Sequence, residues 1–356
     1  MSRDVETGFE PGNPGEDAVP VAGPPVAPGD LRAWPFDMPF PSRSSAQTRR
    51  VAAHSRWWVQ HVGLADRKTA LERHDLHDMS RFACLNYPDA DSEGLDLIGD
   101  WVSWWAVWSD LPDDPGFLHD PGRAERFFAS LTSVLTESVT ESVTGAGRPR
   151  PAFAPDPHVI AFTDIWSRWC QGMSARFIAR TGGNWADWFG SYRTRCEHRR
   201  TGRMLRAAPY LSLRDLTGAV RLEMDAIERL GGFEIPPALL DSPPLRAMRH
   251  VTTRVVSVTQ DVQSLSKEEA AGDQHNFVLV LQRQDNLTRE EALRRIHAGI
   301  RRHTDSFLLW EHRLPRHLDV SGLPVAEREP LYRYVGGLRQ LMRGGYDFCA
   351  TSDRYQ

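Results

Sequence analysis

"SVTQDVQSLSKEEAAGDQHN" occupies Ser257–Asn276 of the 356-residue chain. Within it Gln260, Ser264 and Glu268 stand four residues apart, and Lys267 precedes the last of them. An α-helix rises about 1.5 Å per residue, so this set covers roughly 12 Å of axis. Residues four apart lie on neighbouring turns with side chains leaning the same way. An amide, a hydroxyl and a carboxylate so arranged offer three oxygens to one hard cation. Magnesium takes such ligands and keeps room for water and phosphate oxygens. Lys267 cannot ligate while protonated, but it can meet an anion that the metal also holds. The plain alternative is an exposed polar stripe with an ordinary Lys–Glu tail, and the spacing alone does not choose between them.

A second stretch is "GDWVSWWAVWSDLPDD", Gly99–Asp114. Trp101, Trp104, Trp105 and Trp108 fall at i, i+3, i+4 and i+7, one face of a helix expected over Ser92–Trp108. Ser109, Asp110, Asp113 and Asp114 follow. The C-terminal end of a helix carries partial negative charge. Three carboxylates crowded there repel one another, which a divalent cation would relieve. The plain alternative is an aromatic core followed by a solvated acidic turn.

The rest of the chain is mostly helical in period. Apolar residues recur at helical spacing over Val51–Val62, Ala124–Thr136, His158–Ala179 and Leu213–Leu230. Gly231–Gly232 supplies a stop for the last of these. Thr288 and Glu291 form a capping box for a helix over Thr288–His303. Strand-like alternation is scarce, no internal repeat appears, and the fold class is all-α. Pro11–Asp30 holds six prolines and four glycines; residues 1–33 are expected to be a disordered tail and 34–356 one domain.

Totals exclude several functions. The net charge of −4 gives no electrostatic case for nucleic acid. The Arg-rich run Tyr192–Arg203 is expected to be a solvated helix face. Cys84, Cys170, Cys196 and Cys349 are far apart with no CxxC pair, which argues against a disulfide framework or a zinc site. His74 and His77, in "RHDLHD", are expected to be a polar helix turn. No GxxxxGK, GxGxxG or HExxH occurs. No apolar stretch is long enough for stable membrane insertion, and no signal pattern opens the chain. The expectation is a soluble, cytoplasmic protein.

Four separated motifs, in order, resemble those of bacterial class I terpene cyclases. "QDVQSLSKE" (Gln260–Glu268) resembles that family's Asn-Asp-x-x-Ser-x-x-x-Glu metal motif with its Lys. The aromatic helix with its acidic end resembles the Asp-rich motif. "YLSLRDLTGAV" (Tyr210–Val220) looks like the diphosphate-sensor segment, with Arg214 46 residues before Gln260 and Gly218 in the place of the effector glycine. Arg354–Tyr355 matches the family's C-terminal pair, and "MPFPSR" (Met38–Arg43) its domain start. The likeness covers roughly Trp34–Tyr355.

This resemblance implies a helical bundle around a central apolar cavity. The implied reaction is ionisation of a linear prenyl diphosphate and cyclisation of the carbocation, with three Mg²⁺ ions on the diphosphate. Asp110, Asp113, Gln260, Ser264 and Glu268 fall at metal positions. Arg214, Lys267, Arg354 and Tyr355 fall where the diphosphate is held, and Trp105 and Trp108 are expected to face the substrate. Arg214 and Gly218 carry the catalytic places. A homodimer is left open. Departures are evident: Ser109 stands where the family has its first Asp, Gln260 where it has Asn, and Thr217 where relatives are often acidic. Ala106 and Leu341 replace frequent aromatics and would enlarge the cavity toward a C20 substrate, whereas bacterial relatives favour C15. A weakened metal site would instead make the chain a non-catalytic isoprenoid-binding relative.

Overall fold

The computed structural model describes residues 31, 34–65, 67–109, 115–144, 156–320, 322–325 and 328–355. Apart from Leu31, the expected tail lies outside these. Among the described residues the regular structure is helical: α1 Thr48–His61, α2 Lys68–His77, α3 Met79–Asn86, α4 Ser92–Trp108, α5 Pro115–His119, α6 Pro121–Thr144, α7 Pro157–Cys170 and α8 Ala175–Thr201. Then follow α9 Ala207–Thr217, α10 Val220–Gly231, α11 Pro237–Leu240, α12 Pro243–Ala270, α13 Phe277–Gln284, α14 Arg289–Val320, α15 Glu329–Thr351 and a 3₁₀ turn, Asp353–Tyr355. None is long and apolar enough to cross a membrane.

Local chemistry sets the helix ends. Asp91 accepts from the Gly94 amide at 2.8 Å and opens α4. Asp156 accepts from the His158 amide while Pro157 takes the first helical position of α7, where a missing N–H costs nothing. Ser174 caps α8 and Gly202, with φ +65°, ends it. The capping box forms as expected: Thr288 Oγ1 accepts from the Glu291 amide at 3.2 Å, and Glu291 accepts from the Thr288 amide at 2.8 Å.

Two expected helices are each split. The pattern over His158–Ala179 is interrupted after Cys170, where Gly172 takes φ +76°. That over Leu213–Leu230 is broken between Thr217 and Val220, where Ala219 adopts φ +59°. The left-handed region costs an alanine about 1 kcal/mol or more, so packing must hold the break in place. The helix expected over Thr288–His303 continues to Val320 as α14.

The helix α12 packs between α14 and α15, and α15 lies against α3. At that last crossing a Cβ on Gly344 would come within 2.5 Å of the Leu85 carbonyl oxygen, so glycine lets the two backbones meet. Behind α4 lies an aromatic core. Trp104 stacks on Phe162 at 5.2 Å, and Trp108 sits 5.0 Å from Trp188 and 4.7 Å from Tyr192. Such pairs add roughly 0.5–1.5 kcal/mol each beyond the burial of their area.

Candidate active site

The kink between α9 and α10 lies beside α12. A Cβ on Gly218 would fall 2.6 Å from Ser257 Oγ and 3.1 Å from Arg214 Nη1. Glycine is what lets the break settle there. The close approach brings Arg214, near the end of α9, against α12. Its Nε donates to Asp261 Oδ1 at 2.8 Å and its Nη2 to Gln260 Oε1 at 2.7 Å. Asp261 is anchored in turn, accepting from the Tyr210 hydroxyl at 2.7 Å and the Phe277 amide at 3.1 Å. Burial works against charge on Arg214, but Asp261 beside it holds the guanidinium above its ordinary pKa.

The chain of contacts continues to the C-terminus. Gln260 Nε2 donates to the Tyr355 hydroxyl at 2.8 Å. Next to Tyr355, Arg354 donates from Nη2 to Ser109 Oγ at 2.6 Å, directly after the aromatic helix. The Arg354 guanidinium lies 4.8 Å from the Trp105 ring centroid, a cation–π distance. His77, at the end of α2, contacts Arg354 Nη1 at 3.2 Å. The sensor segment, the polar stripe of α12, the terminal Arg–Tyr pair and the end of α4 thus meet at one cavity.

One turn further along α12, Ser264 Oγ donates to Glu268 Oε1 at 3.0 Å, and Asn276 donates to Glu268 Oε2 at 2.8 Å. Burial, with Asp261 and Asp273 near, pushes the Glu268 carboxyl up to about 8. Two oxygens 3.0 Å apart, in a place where negative charge accumulates, fit an oxygen-seeking divalent cation. Among the described residues there is no group of three or more His, Cys, Asp or Glu able to hold a metal. The donors gathered here are instead an amide, a hydroxyl and a carboxylate, with the amide oxygen turned to Arg214.

Of the residues singled out from the sequence, Trp105, Arg214, Gly218, Gln260, Ser264, Lys267, Glu268, Arg354 and Tyr355 all border the cavity. Asp110 and Asp113 lie outside the described residues. Trp108 is placed elsewhere than expected: it is fully buried in the aromatic core and does not border the cavity, whereas Trp101 does. Ala106 and Leu341 are also buried away from it, so neither widens it. The Arg-rich run is not all solvated face. Arg195 and Arg199 both pair with the buried Asp273, and Arg195 borders the cavity. Asp261, Asn276 and His77 position the functional groups and were not singled out for that role: Asp261 is the second residue of the Gln260–Glu268 motif, His77 belongs to the expected polar helix turn, and Asn276 carries no motif.

The pattern of terpene synthase family 2, C-terminal metal binding, matches residues 100–306. Pentalenene synthase of Streptomyces avermitilis is 34% identical over 322 residues, covering 90% of this chain and 92% of the relative. The (−)-β-caryophyllene synthase ((2E,6E)-farnesyl diphosphate cyclizing) of Saccharothrix espanaensis is 30% identical over 326 residues, covering 90% and 88%. The crystal structure of linalool/nerolidol synthase from Streptomyces clavuligerus superposes with a TM-score of 0.78 at 29% identity, covering 88% of this chain and all of that one. The chain belongs to the terpene synthase family. It is a class I terpene synthase by fold, and the family's metal-binding domain, which implies use of a divalent metal, spans Arg214, Gly218 and Gln260–Glu268.

Proposed function

We infer that this enzyme ionises farnesyl diphosphate and cyclises the resulting carbocation, releasing diphosphate. The observation that carries this reading is the hydrogen-bonded line from Asp261 through Arg214, Gln260 and Tyr355, continued along the chain to Arg354 and Ser109. It ranges two arginines and a tyrosine hydroxyl along one side of an aromatic-walled cavity.

Arg214 and Arg354 have the planar, multidentate donors suited to phosphate oxygens, and Lys267 and Tyr355 add further donors. Gln260, Ser264 and Glu268, with Asp110 and Asp113 of the turn after α4, would hold three magnesium ions. When bound, these supply Lewis-acid neutralisation of the leaving group. The chain's own cations, fixed by Asp261 and Trp105, are oriented before charge develops, which spares reorganisation in the transition state. Trp101, Trp105, Phe82 and Tyr192 present aromatic surface to the cavity, which attracts a carbocation without reacting as a strong nucleophile. The C15 length rests on the named substrate of the caryophyllene-forming relative and on the positions of Ala106 and Leu341 away from the cavity.

The test is incubation with C10, C15 and C20 prenyl diphosphates, with and without Mg²⁺, followed by gas chromatography–mass spectrometry and diphosphate assay. A cyclic C15 product formed only with metal is expected. Preference for the C20 substrate would overturn the chain length, and no metal-dependent diphosphate release from any substrate would overturn the function.

A further inference from the structure

One ionisable group of the cavity wall has no part in holding metal or diphosphate. Glu223 stands in the first turn of α10, four residues past Ala219, whose carbonyl accepts its amide at 3.1 Å. The residue is 7% exposed and borders the cavity, yet its Oε2 has no hydrogen-bond partner. Its main-chain carbonyl is fixed, accepting from the Tyr87 hydroxyl at 3.0 Å. A buried carboxyl left without a partner costs on the order of 1–3 kcal/mol. The fold keeps it there although Arg214 is near enough to act on it, because Arg214 is committed to Asp261 and Gln260.

We propose that Glu223 is a catalytic proton donor and acceptor in the cyclisation, reprotonating a neutral olefin formed part-way through the cascade. The olefin forms when the diphosphate released on ionisation takes a proton from the first cation, and the rest of the sequence then balances without a co-reactant. The Glu223 O–H bond breaks, and the olefin's π pair forms a C–H bond with that proton. A carbocation remains on the neighbouring carbon and a carboxylate on Glu223. After the next ring closure, the carboxylate takes a proton from the carbon beside the cation. That C–H pair becomes the final double bond, and the carboxylic acid is restored for the next turnover.

The state of the group suits this order of events. Burial, only partly offset by Arg214, pushes the Glu223 carboxyl up to about 8, so near neutrality it enters the reaction as the acid. A neutral acid also avoids trapping the first cation as an ester. Three other groups act on or near it: Arg214 from α9, Tyr87 just past α3 and Cys349 from α15. Burial pushes the Cys349 thiol up to about 12 and the Tyr87 hydroxyl well above its ordinary value, so neither competes as a donor.

The proposal rests on the prenyl diphosphate reading, and its test separates the two. The enzyme is equilibrated in D₂O and mixed, in excess over substrate so that each molecule turns over once, with farnesyl diphosphate and Mg²⁺, and diphosphate and terpene are measured together. The wild-type product is expected to carry one deuterium per molecule. Glu223→Gln, which keeps the shape, should cut deuterium per product molecule at least tenfold and shift the product to a less cyclised olefin. Glu223→Asp should retain part of the label. Diphosphate release with an unlabelled wild-type product overturns the proposal alone, as does a Glu223→Gln product that keeps its label. No diphosphate release from the wild type would overturn the prenyl diphosphate reading and the proton transfer with it.

Discussion

Arg354 donates to the Ser109 hydroxyl at 2.6 Å, linking the 3₁₀ turn Asp353–Tyr355 to the end of the aromatic helix. Both residues are buried, at 6% and 7% exposure. A hydrogen bond to a charged group is worth about 1.5–3 kcal/mol. Ser109→Ala should therefore lower kcat/KM by roughly 10- to 100-fold if Arg354 must be held for the diphosphate. Steady-state diphosphate release measures this. Ser109→Asp would place a carboxylate against Arg354, and its Mg²⁺ dependence should sharpen. An unchanged Mg²⁺ optimum would remove Ser109 from the metal-facing place.

The kink at Gly218 yields a second prediction. Gly218→Ala puts a methyl 2.6 Å from Ser257 Oγ, and overpacking of this kind typically costs about 1–3 kcal/mol. The Ser257 hydroxyl can turn aside, but Arg214 Nη1 lies 3.1 Å from the same methyl and must give way, which draws the guanidinium from Gln260. Activity should fall by more than tenfold while the far-ultraviolet circular dichroism stays helical. Because the tightest clash is with the hydroxyl, adding Ser257→Ala should restore part of the loss. Failure of that double variant to recover would place the cost on the Arg214 contacts at 3.1 Å instead.

Asp261 offers a third. Its carboxylate is almost fully buried and neutralises Arg214, whose side chain is 14% exposed. Breaking a buried ion pair by removing one partner costs about 3–5 kcal/mol, because the other charge stays behind. Asp261→Asn should lower the unfolding free energy by roughly that amount in urea, more than any single change on an exposed pair such as Arg200–Glu197, whose expected effect is below about 1 kcal/mol. Equal losses in the two variants would place Arg214 in contact with solvent.

Much of this site was legible because its chemistry is local. The stripe Gln260–Ser264–Glu268 needs only helical spacing, and α12 supplies it. The helix expected over Ser92–Trp108 forms with those bounds as α4. The break at Gly218–Ala219 was not legible, since Leu216, Val220, Met224 and Ile227 keep a helical phase across it. Its cause is contact with Ser257 on another helix. Trp108 was misplaced for a related reason. The four tryptophans share one face, but α4 is buried nearly all round, so the face does not say which ring meets the cavity. Arg195 reads as one more cation in a basic run until Asp273, 78 residues on, turns it inward.

The buried imidazoles of His250 on α12 and His303 on α14 give a test of the scaffold itself. Their rings lie 6.4 Å apart. Burial, with positive neighbours, pushes both down to about 4. Between pH 6.5 and about 4 the unfolded chain protonates these rings while the folded chain does not. The unfolded state then holds more protons, and their contribution to stability falls as pH falls. Buried carboxyls work in the opposite direction: Glu228, pushed up to about 7 by burial, favours the folded state as pH drops. The total pH profile therefore mixes both effects, and only a difference isolates the imidazole. The stability gap between wild type and His303→Gln should shrink by about 2 kcal/mol from pH 7 to pH 5, each pH unit below 6.5 being worth about 1.4 kcal/mol. Urea unfolding at the two pH values reads it, and a gap that stays constant would mean that His303 is protonated inside the fold.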